Sequence, residues 1–360
     1  MKTGIANLPL HGGSAPAWLF NRMVKLAREI VIIIVEDSGP SEVLRKLSNP
    51  FWFQALGCVL GFDWHSSGVT TTVCGAIKEG IKGIEKELGV FAGGGKGNAS
   101  RNTPKDIEKY CDIIGIDSAS LVYASRMSAK VDSAAVQDGY QLYHHCFFFT
   151  KDGNWSVVQQ GMNGDTRYAR RYHWLSEKFD DFTNEPHAAI CCESRDKGLN
   201  MVADESKKAR ETSVLLATEE PGFWENEIRK IQCLDLPSRH AIRKEDIKTS
   251  HFSKILIKTY ETKPKDYSGL LEIEGVGPKT VRSLSLLSEL IYGVKSSFKD
   301  PARFSFAHGG KDGYPYPVDS ETYDRVIEVL NGWINRSKTE RTEKLKAFER
   351  LNRFAVSVKR

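Results

Sequence analysis

The segment from Tyr140 to Met162 constrains the fold more than any other. Two runs rich in aromatic and β-branched residues, YQLYHHCFFFT and NWSVVQQGM, flank the polar tetrapeptide Lys151-Asp152-Gly153-Asn154. Asp-Gly supplies the positive φ angles of a tight hairpin turn, so the pair reads as two antiparallel strands. The central region therefore holds a sheet. Elsewhere the apolar spacing is helical: Trp18 to Ile34, Ser41 to Leu47, and Thr72 to Leu88 with Ile77, Ile81, Ile84 and Leu88 on one face. Further helices are expected over Asp165 to Phe179, over Asn200 to Ala217, and over a charged stretch from Ser320 to Phe354. FAGGGKGNASRNTP reads as a loop, with Pro104 and Asp106 opening the next helix. Past about residue 200 the strand signal stops. The expected architecture is α+β or α/β: a mixed domain over 1–205 that holds the sheet, and an all-helical domain over 206–360.

At 360 residues the chain is long enough for two cores. No stretch reaches the 18 or so apolar residues of a membrane span, and no secretion signal opens the chain. The formal charge of +5 permits a polyanionic partner without requiring one. The seven cysteines form no Cys-x-x-Cys and read as reduced thiols of a cytoplasmic protein, with Cys191 and Cys192 as packing residues.

The segment LLEIEGVGPKTVRSLSLLSELIYG, Leu270 to Gly293, joins two apolar-periodic stretches through Gly275-Val276-Gly277-Pro278. Glycine permits positive φ and close backbone approach. Pro278 suits a first helical turn, where its missing N–H costs nothing. Unpaired amides at such a turn, together with the helix dipole, form an anion site. Lys279 and Arg282 add positive charge there. The segment resembles the helix-hairpin-helix motif of DNA repair and recombination proteins, which implies a grip on a DNA phosphate through Gly275, Gly277, Lys279 and Arg282. A bland connector between core helices is the alternative.

Downstream, Pro317-Val318-Asp319-Ser320 is similar to the Pro-Val-Asp-Thr of helix-hairpin-helix DNA glycosylases. That resemblance implies a catalytic Asp319 and, for bifunctional members, Lys279 as a Schiff-base nucleophile. The gap between the two is longer than the family's. The four cysteines that hold an iron–sulfur cluster in many such enzymes are absent, since nothing after Cys233 is a cysteine; no such cluster is expected.

A second set of chemical residues lies upstream: Asp63 and His65 in GFDWHSSG, Lys130 and Asp132 in SAKVD, Asp138 in QDGY, and His144 and His145. On a strand the two histidines point to opposite faces. If helical, His173 and Glu177 share one side. Carboxylates that bind Mg²⁺ or Mn²⁺, with a histidine or lysine for protons, are the tools of metal-assisted phosphodiester cleavage. Asp63, Asp132 and Asp138 are the candidate metal ligands, although the spacing matches no established metal motif. Gly93 to Gly97 fails as a nucleotide P-loop because Gly97 stands where Ser or Thr is required. Its Lys96, with Arg101, reads as a phosphate contact. Arg170 and Arg171, interleaved with tyrosines, read as single-strand or flipped-base contacts. The charged C-terminal stretch extends a basic footprint or is simply a solvated helix.

The strings MKTGIANLPLHGGSAP, GFDWHSSGVTTT, SAKVDSAAVQDGYQLYHH and FAHGGKDGYPYPVD resemble a prokaryotic family, domain of unknown function 763, over nearly the whole chain. The resemblance implies a cytoplasmic setting and brings no mechanism. Three readings remain: a metal-dependent nuclease positioned by the hairpin, a DNA glycosylase or abasic-site lyase using Asp319 and Lys279, and a DNA-binding scaffold without catalysis. DNA is the expected partner in all three, no membrane is expected, and a homodimer is compatible with each.

Overall fold

A computed structural model of the chain describes residues 16–61, 68–166, 168–178, 180–192, 197–220, 222–223, 250–302 and 320–358. Asp63, His65 and Asp319 lie outside the described residues.

The expected hairpin is the centre of a five-stranded antiparallel sheet. Strand β3 (Gln141–Thr150) pairs with β4 (Trp155–Met162), placing Phe149 opposite Trp155. Gly153, at φ 82°, makes the turn. The edge strand β1 (Val90–Lys96) pairs with β3, and β5 (Ala169–Leu175) and β6 (Ala189–Cys191) follow beyond β4. A small ribbon stands apart: β2 (Val136–Gln137) with β7 (Leu199–Asn200).

The helices, in chain order, begin with α1 (Ala17–Ser38), α2 (Pro40–Ser48), α3 (Pro50–Leu60), α4 (Gly68–Ile81), α5 (Glu85–Leu88), α6 (Asn98–Arg101), α7 (Thr103–Ile114) and α8 (Ala119–Lys130). A π-helical turn, Val131–Ala135, continues α8. Then come α9 (Lys207–Ala217), α10 (Ser250–Thr262), α11 (Tyr267–Glu272), α12 (Pro278–Tyr292), α13 (Ser320–Arg336) and α14 (Arg341–Val358). The stretch expected as one long C-terminal helix is thus two, separated at Ser337 to Glu340. Thr72 to Leu88 is likewise split, at Gly83 with φ 85°.

Strand alternation sorts the sheet's side chains into two cores. Phe147, Phe149, Val157, Tyr172 and Trp174 face α7, α8 and the α9–α12 helices. Cys146, Phe148, Val158 and Leu175 face α1–α4. Burying each of these aromatic side chains is worth roughly 2–3 kcal/mol. Both clusters draw residues from each side of residue 205: Leu270, Val276 and Leu284 join the first, and Leu330, Trp333 and Leu351 the second. The last two helices therefore return to the α1–α4 layer.

Two sequence expectations are corrected. Asp165 to Phe179 contains the strand β5 rather than a helix; it is buried on both faces, and such a strand loses the polar–apolar alternation by which strands are recognised. The glycine-rich loop contains β1, which glycine lets approach its neighbour closely. A Cβ on Gly94 (φ 86°) would lie 2.3 Å from the His145 carbonyl oxygen.

Candidate active site and nucleic-acid interface

Asp132 occupies the π-helical turn at the end of α8, and its carboxylate is buried. Such turns commonly mark functional positions, because the wider turn re-aims a side chain. Three donors converge on it. His187 Nε2 lies 2.5 Å from Oδ1, while Gln159 Nε2 at 2.6 Å and Trp174 Nε1 at 2.9 Å meet Oδ2. A carboxylate only accepts, so His187 carries a proton on Nε2; in the neutral ring the Nδ1 lone pair is then the one that can accept another. The Trp174 ring packs edge-on against the imidazole, with centroids 4.4 Å apart.

A second tier holds the first. The Gln159 amide nitrogen is committed to Asp132, so its oxygen accepts from His145 Nδ1 at 2.9 Å. His145 Nε2 then accepts the Ser125 hydroxyl at 2.9 Å. Burial pushes the His145 pKa down and keeps the ring neutral, as this pattern requires.

His187 comes from the loop between β5 and β6, which is pinned at several points. Asp181 caps Thr183. Arg210 holds Asn184 and donates to the carbonyls of Met201 and Ala203 at 2.7 Å each. Glu185 sits at φ 49°, a left-handed conformation that non-glycine residues seldom adopt, and its N–H donates to Val202 O at 2.8 Å. His187 and Glu185 open onto a cavity of about 380 Å³, whose wall also includes Ile190, Val202, Pro301 and Ala302. Asp204, Glu205, Lys299 and Asp300 line it as well. Lys299 is held by Glu205. Asp300 accepts from Arg170 Nη2 at 2.7 Å.

Asp138 is built into a separate buried group. It accepts from Arg170 Nη1 at 2.8 Å and from the Tyr172 hydroxyl at 2.8 Å. Burial raises its pKa, against the pull of Arg170 and Tyr172. The Arg170 guanidinium lies 4.5 Å over the Tyr140 ring. Asp132 and Asp138 thus serve different partners, and among the described residues no three His, Cys, Asp or Glu side chains are grouped to hold a metal ion.

Arg170 and Arg171 require correction as nucleic-acid contacts, because both are fully buried in β5. Arg170 bridges Asp138 and Asp300. Arg171 donates to His173 Nε2 at 2.9 Å and Gln54 Oε1 at 3.1 Å, with Phe53 beneath it. His173 accepts from Arg171 at Nε2 and donates from Nδ1 to Leu47 O at 2.8 Å; it does not pair with Glu177, which binds Arg45 instead. His144 and His145 do face opposite ways. His144, 1% exposed, hydrogen-bonds neither ring nitrogen. Burial, with His145 and Lys96 nearby, pushes its pKa down to about 3. Lys130 is half-buried at the end of α8, and burial lowers its pKa. Lys96 is exposed, 5.9 Å from the Tyr143 ring, and Arg101 is exposed at the end of α6.

The Gly-Val-Gly-Pro segment is a tight turn between α11 and α12. Ile273 and Val276 anchor it in the core, while Gly275, Pro278 and Lys279 stand exposed. Gly275 has φ 95°, so it needs glycine's freedom. Gly277 precedes Pro278 and, as the N-cap residue, brings no capping side chain to the first turn of α12. The turn is tied to the upstream cluster through Gln137. Its Nε2 donates to Ala134 O at 2.9 Å and to Pro278 O at 2.8 Å, and its Oε1 accepts from Arg282 Nε at 2.8 Å. Gln137 pairs with Leu199, beside the cavity residue Asn200.

A family model, "Protein of unknown function (DUF763)", matches residues 4–318. The chain belongs to the DUF763 family. No curated protein matches it, and no solved structure does. No helix among the described residues of this DUF763 protein is long and apolar enough to cross a membrane. The described cysteines, Cys191 and Cys192 included, are buried free thiols. Sequence reasoning missed His187, Gln159, Trp174 and the cavity acids; the only local signal was a polar Asn184-Glu185-Pro186-His187 loop between two apolar runs.

Proposed function

We propose that this DUF763 protein is a DNA-processing enzyme that grips a strand at the 275–282 turn and acts on it hydrolytically at the adjoining His187 cavity. The observation that carries this reading is Gln137, which joins the two: it hydrogen-bonds the turn on one side and the Asp132 π-turn on the other. Backbone amides, Lys279 and Arg282 supply phosphate contacts that position a strand without reading its sequence. The fit of the turn to a helix-hairpin-helix belongs to this proposal.

At the cavity, His187 Nδ1 takes a proton from water as the water oxygen attacks the bound strand; the bond to the leaving group breaks with its electron pair, and the imidazolium returns the proton to that group. Asp132 holds the imidazole in one tautomer and stabilises the imidazolium that forms, while Gln159 and Trp174 keep the carboxylate in place. Metal-assisted cleavage by Asp132 and Asp138 would require both to leave their present donors, so general-base catalysis is the chemistry this geometry supports best.

The test is a panel of end-labelled single-stranded, duplex, uracil-containing and abasic DNA, with and without EDTA, read before and after alkali. Processing that persists in EDTA and falls roughly 10²–10⁴-fold in His187→Ala agrees with a positioned general base. Processing abolished by EDTA and untouched by His187→Ala points to the metal-dependent nuclease instead. A borohydride-trapped adduct lost in Lys279→Ala points to the lyase. Salt-sensitive binding with no product anywhere leaves a scaffold.

A further inference from the structure

Behind the His187–Asp132 pair runs a line of side chains whose hydrogen-bond directions are all set. Ser125 and Asp132 stand about two turns apart on α8 and the π-turn that continues it, and both are buried. The sheet fills the space between them with one buried cross-strand pair, His145 of β3 opposite Gln159 of β4. Asp132 Oδ2 accepts from Gln159 Nε2 at 2.6 Å, and Gln159 Oε1 accepts from His145 Nδ1 at 2.9 Å. His145 Nε2 accepts the Ser125 hydroxyl at 2.9 Å. Every donor in the line points toward Asp132.

These directions hold or fail together. An amide carries its donors on one arm and its acceptor on the other, and a neutral imidazole has one of each. With its proton on Nε2 instead, His145 would turn a bare Nδ1 toward Gln159 Oε1, acceptor against acceptor. Turning the amide over would relieve that contact and set Oε1 against the Asp132 carboxylate. Either conflict would lie in buried surroundings, where an unpaired polar group is costly. Without the Gln159 donor, Trp174 remains to hold Oδ2, and the carboxylate can pivot away from His187. The His187 Nε2–H then lacks a fixed acceptor. A ring that moves its proton to Nδ1 can no longer take one from water.

We infer that His145 is a positioning residue for His187: acting through Gln159, it holds the Asp132 carboxylate in the orientation that keeps the His187 proton on Nε2. This rests on the reading of His187 as the general base. His145 works through two other side chains and touches none of the reacting atoms. Ser125 supports it by supplying the donor that its Nε2 needs.

The experiment combines heteronuclear NMR of the histidine-labelled full chain with rate measurements on His145→Asn and His145→Gln. Asparagine sets its amide donor where Nδ1 stands and can still donate to Gln159. Glutamine carries its amide out to where Nε2 stands, toward Ser125. Glutamine is also the closer of the two to histidine in volume, so a role in packing alone predicts the opposite order. In the wild type, His145 should be protonated on Nδ1 and His187 on Nε2, each signal assigned by its loss on substitution. His187 should keep that tautomer in His145→Asn and become a mixture in His145→Gln. On DNA that the chain processes, kcat in His145→Gln should fall roughly ten- to hundredfold at unchanged KM, the scale of a misplaced catalytic group. His145→Asn should lose less. A wild-type His145 protonated on Nε2 overturns the assignment, and this arm needs no variant to fold. Equal effects of the two substitutions, or a glutamine variant that outperforms the asparagine one, overturn it as well. The two claims fail separately. Tautomers as expected with no DNA processed remove the DNA reading and spare the positioning role. Processing that is lost in His187→Ala but alike in both His145 variants removes only the positioning role.

Discussion

The 275–282 turn and the Asp132–His187 cluster are proposed sites built in two different ways. The turn is built from backbone: a glycine at φ 95°, a proline at the first helical position and a glycine N-cap, all within a few residues. The cluster is built from side chains brought together from α8, β4, β5 and the loop before β6, and its carboxylate is wholly buried. A backbone site tolerates substitution around it and loses little stability when a surface charge is removed. A buried polar network has no such tolerance, because any lost partner strands the others away from water.

The largest contrast is expected at Asp132. Asp132→Ala leaves the N–H groups of His187, Gln159 and Trp174 without their acceptor, and should lower unfolding free energy by ~3–5 kcal/mol in urea titration. A loss below about 1 kcal/mol would mean the network is not formed in solution. His187→Ala removes only one of the three donors, the one to Asp132 Oδ1, and should lower stability by a smaller ~1–3 kcal/mol while removing processing activity.

The two faces of the sheet at His144 and His145 sharpen the point. His145 is fully bonded, whereas His144 is buried with neither nitrogen hydrogen-bonded. With its pKa lowered from 6.5 to about 3, the His144 ring is neutral in the folded chain at pH values where the unfolded chain is protonated. The unfolded state therefore binds more protons across that window. The contribution to stability is present above about pH 6.5 and is lost as pH falls toward 3, at up to ~1.4 kcal/mol per pH unit. His144→Leu should flatten the acid limb of the stability curve by about one proton's worth, with little change at pH 8. A strong loss at pH 8 would show that the ring nitrogens have an occupant.

Gly275→Ala tests the turn at smaller scale. The added Cβ would sit 3.2 Å from Ile255 Cγ1 at a positive φ, for a cost of roughly 1–2 kcal/mol. DNA affinity should fall with it, and the reactivity of His187 toward diethyl pyrocarbonate should stay as in the wild type. Changes at both places would mean that the turn and cavity are one unit rather than two.

The same contrast explains what the sequence disclosed. The turn was legible because its signals are local: Gly-x-Gly-Pro between two apolar-periodic stretches. The β3–β4 hairpin and the opposite facing of His144 and His145 were legible for the same reason. His187 was not, since it meets Asp132 across 55 positions and only the fold brings them together. Arg170 and Arg171 looked like surface cations because a buried arginine is recognisable only by its partners. For Arg170 these are Asp138, 32 positions away, and Asp300, 130 positions away. The change from strands to helices near residue 200 was visible, but not that those helices would pack onto both faces of the sheet.

The most direct measurement is the salt dependence of binding to a short duplex, compared for the wild type, Lys279→Ala and His187→Ala. If the turn holds the backbone and the cavity does the chemistry, wild-type affinity falls steeply with salt. Lys279→Ala then binds more weakly, with a log–log slope shallower by about 1, and His187→Ala keeps the wild-type slope. A flat wild-type slope, or a Lys279→Ala curve that overlays the wild type, contradicts that division.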